Sequence, residues 1–317
     1  MVMTWERQMT SDHTAWVLDH PLFHATLVPA WGGLVTSLIH KASGEQLLRE
    51  VVSEAQWKQQ QVVNGIPVLF PCGRIRGGEF VWDERHFVWP RTDPKGPNAL
   101  HGFVWDVPWT VIDLAQGALT IAPGPEAQKR LERYLGAPVD FQMRYQVDDE
   151  NFTVTSVITN RGTHAIPFGL GFHTTITLAA HDWILKIPPG REWEMGSDLM
   201  PTGHLYQTPQ TLAGLVEGRL ASSVVADTCY LLNPGERPMV QCQHIEQSWR
   251  LCWEASPEFR HLVIYRPDLD ANFISLEPYT WTHNAPNLPL DPLSTGMAGL
   301  NPQETRTLHY AVSVKSD

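Results

Sequence analysis

Three polar side chains lie at positions where the core of a strand-rich fold does not require a polar residue. His101 lies in the segment 98–103 (NALHGF), and His173 ends the segment 169–173 (GLGFH), both beside glycine and aromatic residues near predicted strand ends. Glu277 closes the apolar run 272–277 (NFISLE). A carboxylate at a strand end that faces an apolar cleft has its pKa raised towards neutrality, as a general base requires. These residues are therefore candidates for acid–base chemistry.

Arg74 lies in a proline- and glycine-rich loop, residues 64–78 (NGIPVLFPCGRIRGG), just before a hairpin predicted to turn at Asp83 and Glu84. A guanidinium group offers several fixed hydrogen-bond donors, which suit the vicinal hydroxyl groups of a sugar. The alternative is an arginine that only ties down its own loop. From this segment alone, sugar binding and loop stabilisation both remain open.

Taken together, these segments resemble the aldose 1-epimerase (galactose mutarotase-like) family over most of the chain. The similar segments are, in the family's order and spacing, 28–33 (VPAWGG), 64–78, 98–103 with Trp109 downstream, and Glu277-Pro278 followed by Asn284-Ala285. The resemblance implies a large antiparallel β-sandwich, the galactose mutarotase-like supersandwich. It also implies an isomerase that interconverts the α and β anomers of a free aldohexose and needs neither a metal nor another cofactor.

The resemblance also assigns catalytic roles. Glu277 is the general base that takes the proton from the anomeric hydroxyl, and His173 is the general acid that protonates the ring oxygen. His101, the third predicted catalytic residue, binds the substrate or stabilises charge. The ring opens to the free aldehyde, rotation about C1–C2 exposes its other face, and closure gives the opposite anomer. Each positioned proton transfer is worth about 10²–10⁴-fold in rate.

The predicted substrate-binding residues are Arg74, Asp227, Asn98 and Trp281. Asp227, in the segment 224–230 (VVADTCY), resembles a later aspartate of the family that holds a sugar hydroxyl. Indole rings are apolar platforms for the C–H faces of sugars, and the candidates for such stacking are Trp82, Trp105 and Trp281, although core packing is the default for a tryptophan.

The chain departs from the family pattern at two places. Thr174 and Thr175 follow His173 where the family usually has proline and an aromatic residue, so the assignment of the acid rests on the preceding glycine and phenylalanine and on position. Tyr279 stands where glutamine is common, and Trp281 follows within an unusual segment, 280–283 (TWTH). We expect any change in sugar preference to arise at this pocket floor.

Three alternatives remain open. A hexose-6-phosphate 1-epimerase usually lacks the R-x-R-G-G hairpin and needs a cluster of cations, for which only Arg74, Arg76 and Arg91 are candidates. A sugar-binding or sensing protein could keep the pocket without turnover. A glycosidase or lyase on a related sandwich is the third alternative, and hydrolysis usually needs two carboxylates about 5–10 Å apart, with Asp227 as partner of Glu277.

Alternating polar and apolar residues predict the elements that position these side chains. Half-buried strands are predicted around 109–112, 152–158 and 308–314. Turn residues recur at short intervals along the chain, which is typical of an antiparallel sandwich or barrel. One helix is predicted over 126–135, between Pro125 and Gly136. We therefore predict an all-β fold, with few short helices, in a single domain of residues 1–317.

Composition restricts the partners. A formal charge of −11 disfavours nucleic acid and membrane surfaces and favours a neutral monosaccharide as ligand. The sequence has no apolar stretch near the roughly 20 residues of a spanning helix and no secretory signal, so we expect a cytoplasmic protein. A monomer and a homodimer are both compatible with the sequence.

The cysteines and the remaining histidines give no sign of a metal site or a disulfide framework. Four scattered cysteines are expected to be reduced core thiols. The histidines without ligand-like spacing are expected on the surface or in loops, and no metal site is predicted. These histidines are His181, His204, His244 and His283.

Overall fold

The computed structural model describes residues 4–115, 117–148, 150–236 and 239–316. Antiparallel sheets dominate it, and the predicted all-β sandwich class is confirmed. The largest sheet has nine strands in the spatial order Trp109–Ala115, Ala118–Pro123, Val139–Val147, Asn151–Asn160, Thr305–Ser316, Trp249–Ala255, Val240–His244, Trp183–Lys186 and Arg219–Leu220.

The second large sheet has eight strands. Seven of them follow the order Pro201–Tyr206, Gly190–Met195, Ala226–Leu232, His261–Arg266, Phe273–Tyr279, Gly171–Phe172 and Val68–Leu69, and Thr174–Thr177 also pairs with Phe273–Tyr279. A five-stranded sheet contains Glu6–Met9, Thr14–Asp19, Phe23–Val28, Leu34–His40 and Glu45–Gln46. The two-stranded pairs are Arg74–Ile75 with Ala99–Leu100, Glu79–Trp82 with Arg85–Val88, and Ile166–Phe168 with Ala298–Leu300.

Helices are short and peripheral in the part of the chain that the structure describes. The α-helices are Glu54–Gln60, Pro125–Leu135 and Pro292–Thr295, and the 3₁₀ turns are Pro29–Trp31, Arg76–Gly78, Ala221–Ser223 and Ala285–Asn287. None of the described helices is long and apolar enough to cross a bilayer.

The main core lies between the two large sheets. Phe172, from the eight-stranded sheet, stacks on Tyr310, from the nine-stranded sheet, with ring centroids 4.7 Å apart. The Tyr310 hydroxyl also shares a hydrogen bond of 2.7 Å with the hydroxyl of Thr174. Burying large aromatic rings contributes much of the stabilisation of such a layer. This packing supports the segment that carries His173.

The predicted elements are present with small changes in length. The predicted strands fall within observed strands, the helix begins one residue earlier, at Pro125, and the hairpin turns at Asp83 and Glu84. All four cysteines are buried and free, as expected. The single domain of residues 1–317 stays a prediction, and residues 1–3, 116, 149, 237, 238 and 317 lie outside the described residues.

Candidate active site

One face of the eight-stranded sheet presents two carboxylates to a cavity. Glu277 lies opposite Val263 in the neighbouring strand, and Asp227 lies opposite Tyr265. Side chains two residues apart on a strand share a face, and so do cross-strand partners. Val263 and Tyr265 therefore project to the same side as both carboxylates, and all four line the cavity.

The same sheet brings His173 to Glu277. Gly171 pairs with Tyr279 and Thr174 with Leu276, so the register places His173 directly opposite Glu277. The strand is interrupted at His173, between Gly171–Phe172 and Thr174–Thr177. The backbone N–H of His173 donates to the Pro67 carbonyl. Two residues about 100 positions apart in the chain thus meet because of strand pairing alone.

The cavity has an empty volume of about 770 Å³, including its open mouth. This volume is within the range typical of pockets for small ligands. Its lining residues are Gln60, Gln61, Val62, Val63, Arg74, Thr92, Asp93, Pro94, Lys95, Leu100, His101, Trp105, His173, Asp227, Val263, Tyr265, Glu277 and His283. The described structure therefore gathers five of the seven predicted site residues around one space.

Glu277 and His173 form a buried contact in this cavity. Nε2 of His173 lies 3.2 Å from Oε1 of Glu277, and the two side chains are 4% and 2% exposed. Burial raises the pKa of Glu277 to about 8. Burial also lowers the pKa of His173 to about 3. Loss of hydration disfavours the charged form of each group, so the carboxyl retains a proton and the imidazole stays neutral near pH 7.

Arg74 lies between two aspartates. Its Nε is 3.2 Å from Oδ2 of Asp93, and its Nη1 is 3.4 Å from Oδ1 of Asp227. Lys95 binds the other oxygen of Asp227, with Nζ 2.9 Å from Oδ2. Burial alone would raise the pKa of Asp227, but Arg74 and Lys95 hold it below its ordinary value. The guanidinium is consequently fixed against the cavity wall.

Asn98 contacts the site residues from outside the cavity. Its Nδ2 donates to Oδ2 of Asp93 at 3.1 Å, and its Oδ1 accepts from the backbone N–H of Gly77 at 3.3 Å. Asn98 does not line the cavity. The geometry makes it a support for Asp93 and, through Asp93, for Arg74.

His101 completes the polar side of the cavity. Its ring centroid lies 5.4 Å from that of His173, with the two rings nearly perpendicular. Burial, with smaller effects from the neighbouring histidines and Arg74, keeps the pKa of His101 well below its ordinary value. Tyr279 lies beside it, and the phenol oxygen is 3.4 Å from Nδ1 of His101 and 2.5 Å from Oε2 of Glu277.

A family model described as aldose 1-epimerase matches residues 14–313. The chain belongs to the aldose 1-epimerase family. The match includes the segments that carry Glu277, His173, His101 and Arg74, which the structure has brought together around the cavity.

Solved structures share the fold over almost the whole chain. A galactose mutarotase-like protein from Clostridium acetobutylicum is 22% identical, with 99% of this chain and 98% of that chain covered and a TM-score of 0.89. An aldose epimerase homologue from C. elegans is 14% identical, with 99% of each chain covered and a TM-score of 0.74. A galactose 1-epimerase from Lactobacillus acidophilus NCFM is 15% identical, with 99% of this chain and 98% of that chain covered and a TM-score of 0.73. The predicted mutarotase-like fold is thereby confirmed.

Trp281 is, after Asn98, the second predicted site residue that lies outside the cavity wall. Its indole is fully buried, its N–H donates to the Cys72 carbonyl at 2.8 Å, and it does not line the cavity. The ring instead fills the space against Gly169, where an added Cβ would come within 2.1 Å of it. Trp105, which the sequence also suggested as a stacking platform, does line the cavity.

Three cavity residues with an acidic, basic or imidazole side chain were not among the predicted site residues of this family member. They are Asp93, Lys95 and His283. His283 lies in a turn, one of the two positions expected for it, but the residue is 1% exposed and its Nδ1 accepts the backbone N–H of Arg74 at 3.1 Å. Burial lowers the pKa of His283 to about 3. The unusual 280–283 segment was the only sequence signal near it.

A second histidine cluster lies away from the cavity. Ligand-type atoms of Glu45, His181 and His244 lie within 4.8 Å of one another. His244 is buried and ends the Val240–His244 strand, which contradicts the expected surface or loop position. Its Nδ1 accepts the backbone N–H groups of Glu246 and Gln247, so Nε2 carries the ring proton and donates to Glu45 at 2.7 Å. That nitrogen is therefore engaged as a donor and presents no lone pair to a cation.

Proposed function

We propose that the protein is an aldose 1-epimerase that interconverts the anomers of a free aldohexose. The observation that carries the proposal is the buried contact of 3.2 Å between His173 Nε2 and Glu277 Oε1 in the wall of a sugar-sized cavity. An acid and a base that act on two oxygens of the same hemiacetal must lie within reach of both oxygens, and general acid–base catalysis depends on that geometry.

The reaction needs one proton on the pair. In the reacting form, Glu277 is ionised and takes the proton from the anomeric hydroxyl, while protonated His173 donates to the ring oxygen. The C1–O5 bond breaks and the aldehyde forms. After rotation about C1–C2, the two proton transfers run in reverse. Arg74 and His101 are the groups we assign to binding the sugar hydroxyls, beside Asp227.

The charge balance of the cavity supports a neutral sugar. Arg74 and Lys95 are the only lysine or arginine side chains in its described lining, and each of them contacts a carboxylate. A phosphate group binds best to cations that are free to pair with it. Because these two are already neutralised by Asp93 and Asp227, a free hexose suits the cavity better than a hexose 6-phosphate.

The same contacts argue against hydrolysis. A glycosidase needs a second carboxyl group that can donate a proton to the leaving group or accept one from water. The sequence suggests Asp227 as the second carboxylate beside Glu277, but Arg74 contacts one of its oxygens and Lys95 contacts the other. Its lowered pKa also opposes a role as proton donor.

The experiment is polarimetry of freshly dissolved α-D-glucose and α-D-galactose in weak buffer, where spontaneous mutarotation is slow. We expect the wild-type protein to accelerate the decay to the same final rotation. Glu277→Gln keeps the size of the side chain and cannot act as base, so we expect at least a 100-fold loss, on the order of the contribution of one positioned proton transfer.

The matched control is Glu79→Gln, the same chemical change on the exposed hairpin outside the cavity. It should leave the rate unchanged. Calorimetric titration with each sugar tests whether Glu277→Gln still binds. Sugar binding without acceleration by the wild-type protein would make this a sugar sensor. Acceleration with glucose 6-phosphate but with neither free sugar would instead establish the phosphorylated substrate.

A further inference from the structure

Tyr279 is a buried residue that the proposed reaction does not yet use. It lies two positions after Glu277 on the same strand, so both side chains project from the same face. The phenol oxygen lies 2.5 Å from Oε2 of Glu277 and 3.4 Å from Nδ1 of His101. The hydroxyl thus lies between two residues assigned to the site.

The donor and acceptor roles in this chain of contacts are restricted. A phenol has one proton to donate, and Oε2 of Glu277 can accept it both in the ionised carboxylate and in a carboxyl whose proton lies on Oε1, so the short bond runs from Tyr279 to Glu277. The phenol oxygen can then only accept, and His101 must donate from Nδ1. Since burial keeps His101 neutral, the ring has one N–H, and its Nε2 carries a lone pair.

We propose that Tyr279 is a positioning residue for ring opening. Its hydroxyl holds Oε2 of Glu277, so that Oε1 is the reacting oxygen, and it fixes His101 with Nε2 as an acceptor for a sugar hydroxyl. This inference rests on the proposed epimerase function. Oε1 is the oxygen that contacts His173, so the geometry leaves the acid–base pair free while the other oxygen is occupied.

The ring of Tyr279 has a packing role that must be separated from that of its hydroxyl. Its edge contacts the ring of His283, with centroids 5.9 Å apart, and an added Cβ at Gly171 would lie 2.5 Å from it. Tyr279→Phe keeps this packing and removes only the hydroxyl. The other titratable or charged groups whose fields reach Tyr279 or Glu277 are Asp227, Arg74, Cys72, Cys229, His173, His101 and His283.

The first test compares Tyr279→Phe with Tyr145→Phe. Tyr145 is a matched control because it is also buried, and its hydroxyl donates to the Gly33 carbonyl at 3.1 Å, outside the cavity. For Tyr279→Phe we expect kcat to fall about 10- to 100-fold, as for a lost hydrogen bond to a charged group, with a smaller rise in KM because His101 loses its fixed orientation. The alkaline limb of kcat/KM should move to higher pH, because the hydrogen bond from Tyr279 lowers the pKa of Glu277.

For Tyr145→Phe we expect an unchanged profile, whatever its melting temperature. If Tyr279→Phe lowers only the melting temperature and leaves kcat and the alkaline limb at their wild-type values, the hydroxyl is structural and the proposal is wrong.

The second test needs no substrate. Long-range ¹H–¹⁵N spectra of the histidine-labelled protein distinguish Nδ1–H from Nε2–H rings, and the signals of His101 are those lost in His101→Gln. We expect the Nδ1–H form in the wild-type protein and loss of this preference in Tyr279→Phe. An Nε2–H ring in the wild-type protein would overturn the proposal. The Nδ1–H form in a protein without mutarotase activity would support the hydrogen-bond network and refute only the proposed reaction.

Discussion

Burial shifts the pKa values of Glu277 and His173 in opposite directions, because both side chains are removed from water. The carboxyl keeps its proton up to about pH 8, and the imidazole stays neutral down to about pH 3. Between these values the pair holds one proton, located mainly on the carboxyl. Two groups in contact titrate as a pair, so in the proposed reaction the number of protons on the pair governs the rate. The reacting form, with an ionised carboxylate and a protonated imidazole, has the same proton count and is a constant fraction over this range.

The pH dependence of kcat/KM follows from this count. We expect a level profile in the neutral range and a decline of about tenfold per pH unit above pH 8, where the pair loses its proton. Ordinary pKa values would start the decline near 6.5. Polarimetry from pH 6 to 10, corrected for the spontaneous rate, separates the two cases. A decline that begins below pH 7 would contradict the burial of Glu277.

Asp93 is expected to control substrate affinity through Arg74. Asp93→Asn removes the charge that holds the guanidinium Nε at 3.2 Å, and we expect KM to rise about tenfold, with kcat affected less. Asp198→Asn is the control, because it breaks a comparable contact of 2.8 Å to the exposed Arg76. Initial rates over a range of sugar concentration measure both. Equal KM values for the two variants would show that Arg74 needs no support from Asp93.

At the level of residues, the sequence predicted those site residues that lie in recognisable segments. Glu277, His173 and His101 were found because each combines a reactive side chain with a strand end or a glycine. Asp93 and Lys95 lie in an irregular loop, and only the folded chain shows that this loop closes over Arg74. Their roles depend on contacts through space, which no local pattern encodes.

The backbone conformation of the 98–103 segment determines the position of His101 in the cavity. His101 and Gly102 are consecutive left-handed residues, with φ of 62° and 74°. Gly102 also packs against the backbone of Phe70, where an added Cβ would lie 2.3 Å from the carbonyl. The glycine is required both for the turn and for the close approach, and together they aim His101 into the cavity.

Gly102→Ala should therefore be strongly destabilising. We expect a loss of about 3 kcal/mol or more in the free energy of unfolding, because backbone strain and a steric clash act together. Gly77→Ala is the matched control, with φ of 63° and open space around the new methyl group, and should cost only about 1 kcal/mol. Urea denaturation followed by tryptophan fluorescence measures both. Similar losses for the two variants would show that the contact with Phe70 relaxes easily.

A helix was predicted from the sequence where its buried residues form an apolar stripe, and a helix without buried residues was missed. The Pro125–Leu135 helix buries three residues on one side and was predicted. The Glu54–Gln60 helix buries none, so its sequence has no apolar stripe. A weaker signal was available, because Ser53 and Gln56 have the spacing of a capping box, and Ser53 does accept the N–H of Gln56.

For the whole molecule, ionisation of Glu277 is expected to lower the free energy of unfolding at alkaline pH. The native state keeps its proton up to about pH 8, whereas the unfolded chain releases it near 4.5. The native state therefore binds more protons between these values, and the stability contributed by this group is lost as pH rises through the range. The protein retains a carboxyl group at a place where a neutral side chain would be more stable.

Glu277→Gln should accordingly be more stable than the wild-type protein at pH 9 and about equal to it at pH 4.5. We expect a gain on the order of 2–4 kcal/mol, or about 3–10 °C in melting temperature, at the higher pH. Calorimetry at both pH values measures the difference, with Glu79→Gln on the exposed hairpin as the matched control. A gain of the same size at both pH values would mean that the ionisation of Glu277 is not its cause.

The Thr305–Ser316 strand lies in the middle of the nine-stranded sheet, between Asn151–Asn160 and Trp249–Ala255. A ribosome makes it after both of these neighbours. Until it emerges, each half of the sheet presents an unpaired edge, which can pair with another chain. Tyr310 also comes with this strand, so the packing behind His173 is completed at the same moment. We therefore expect the nascent protein to depend on chaperones late in its synthesis, and catalytic competence to appear only after translation of this strand.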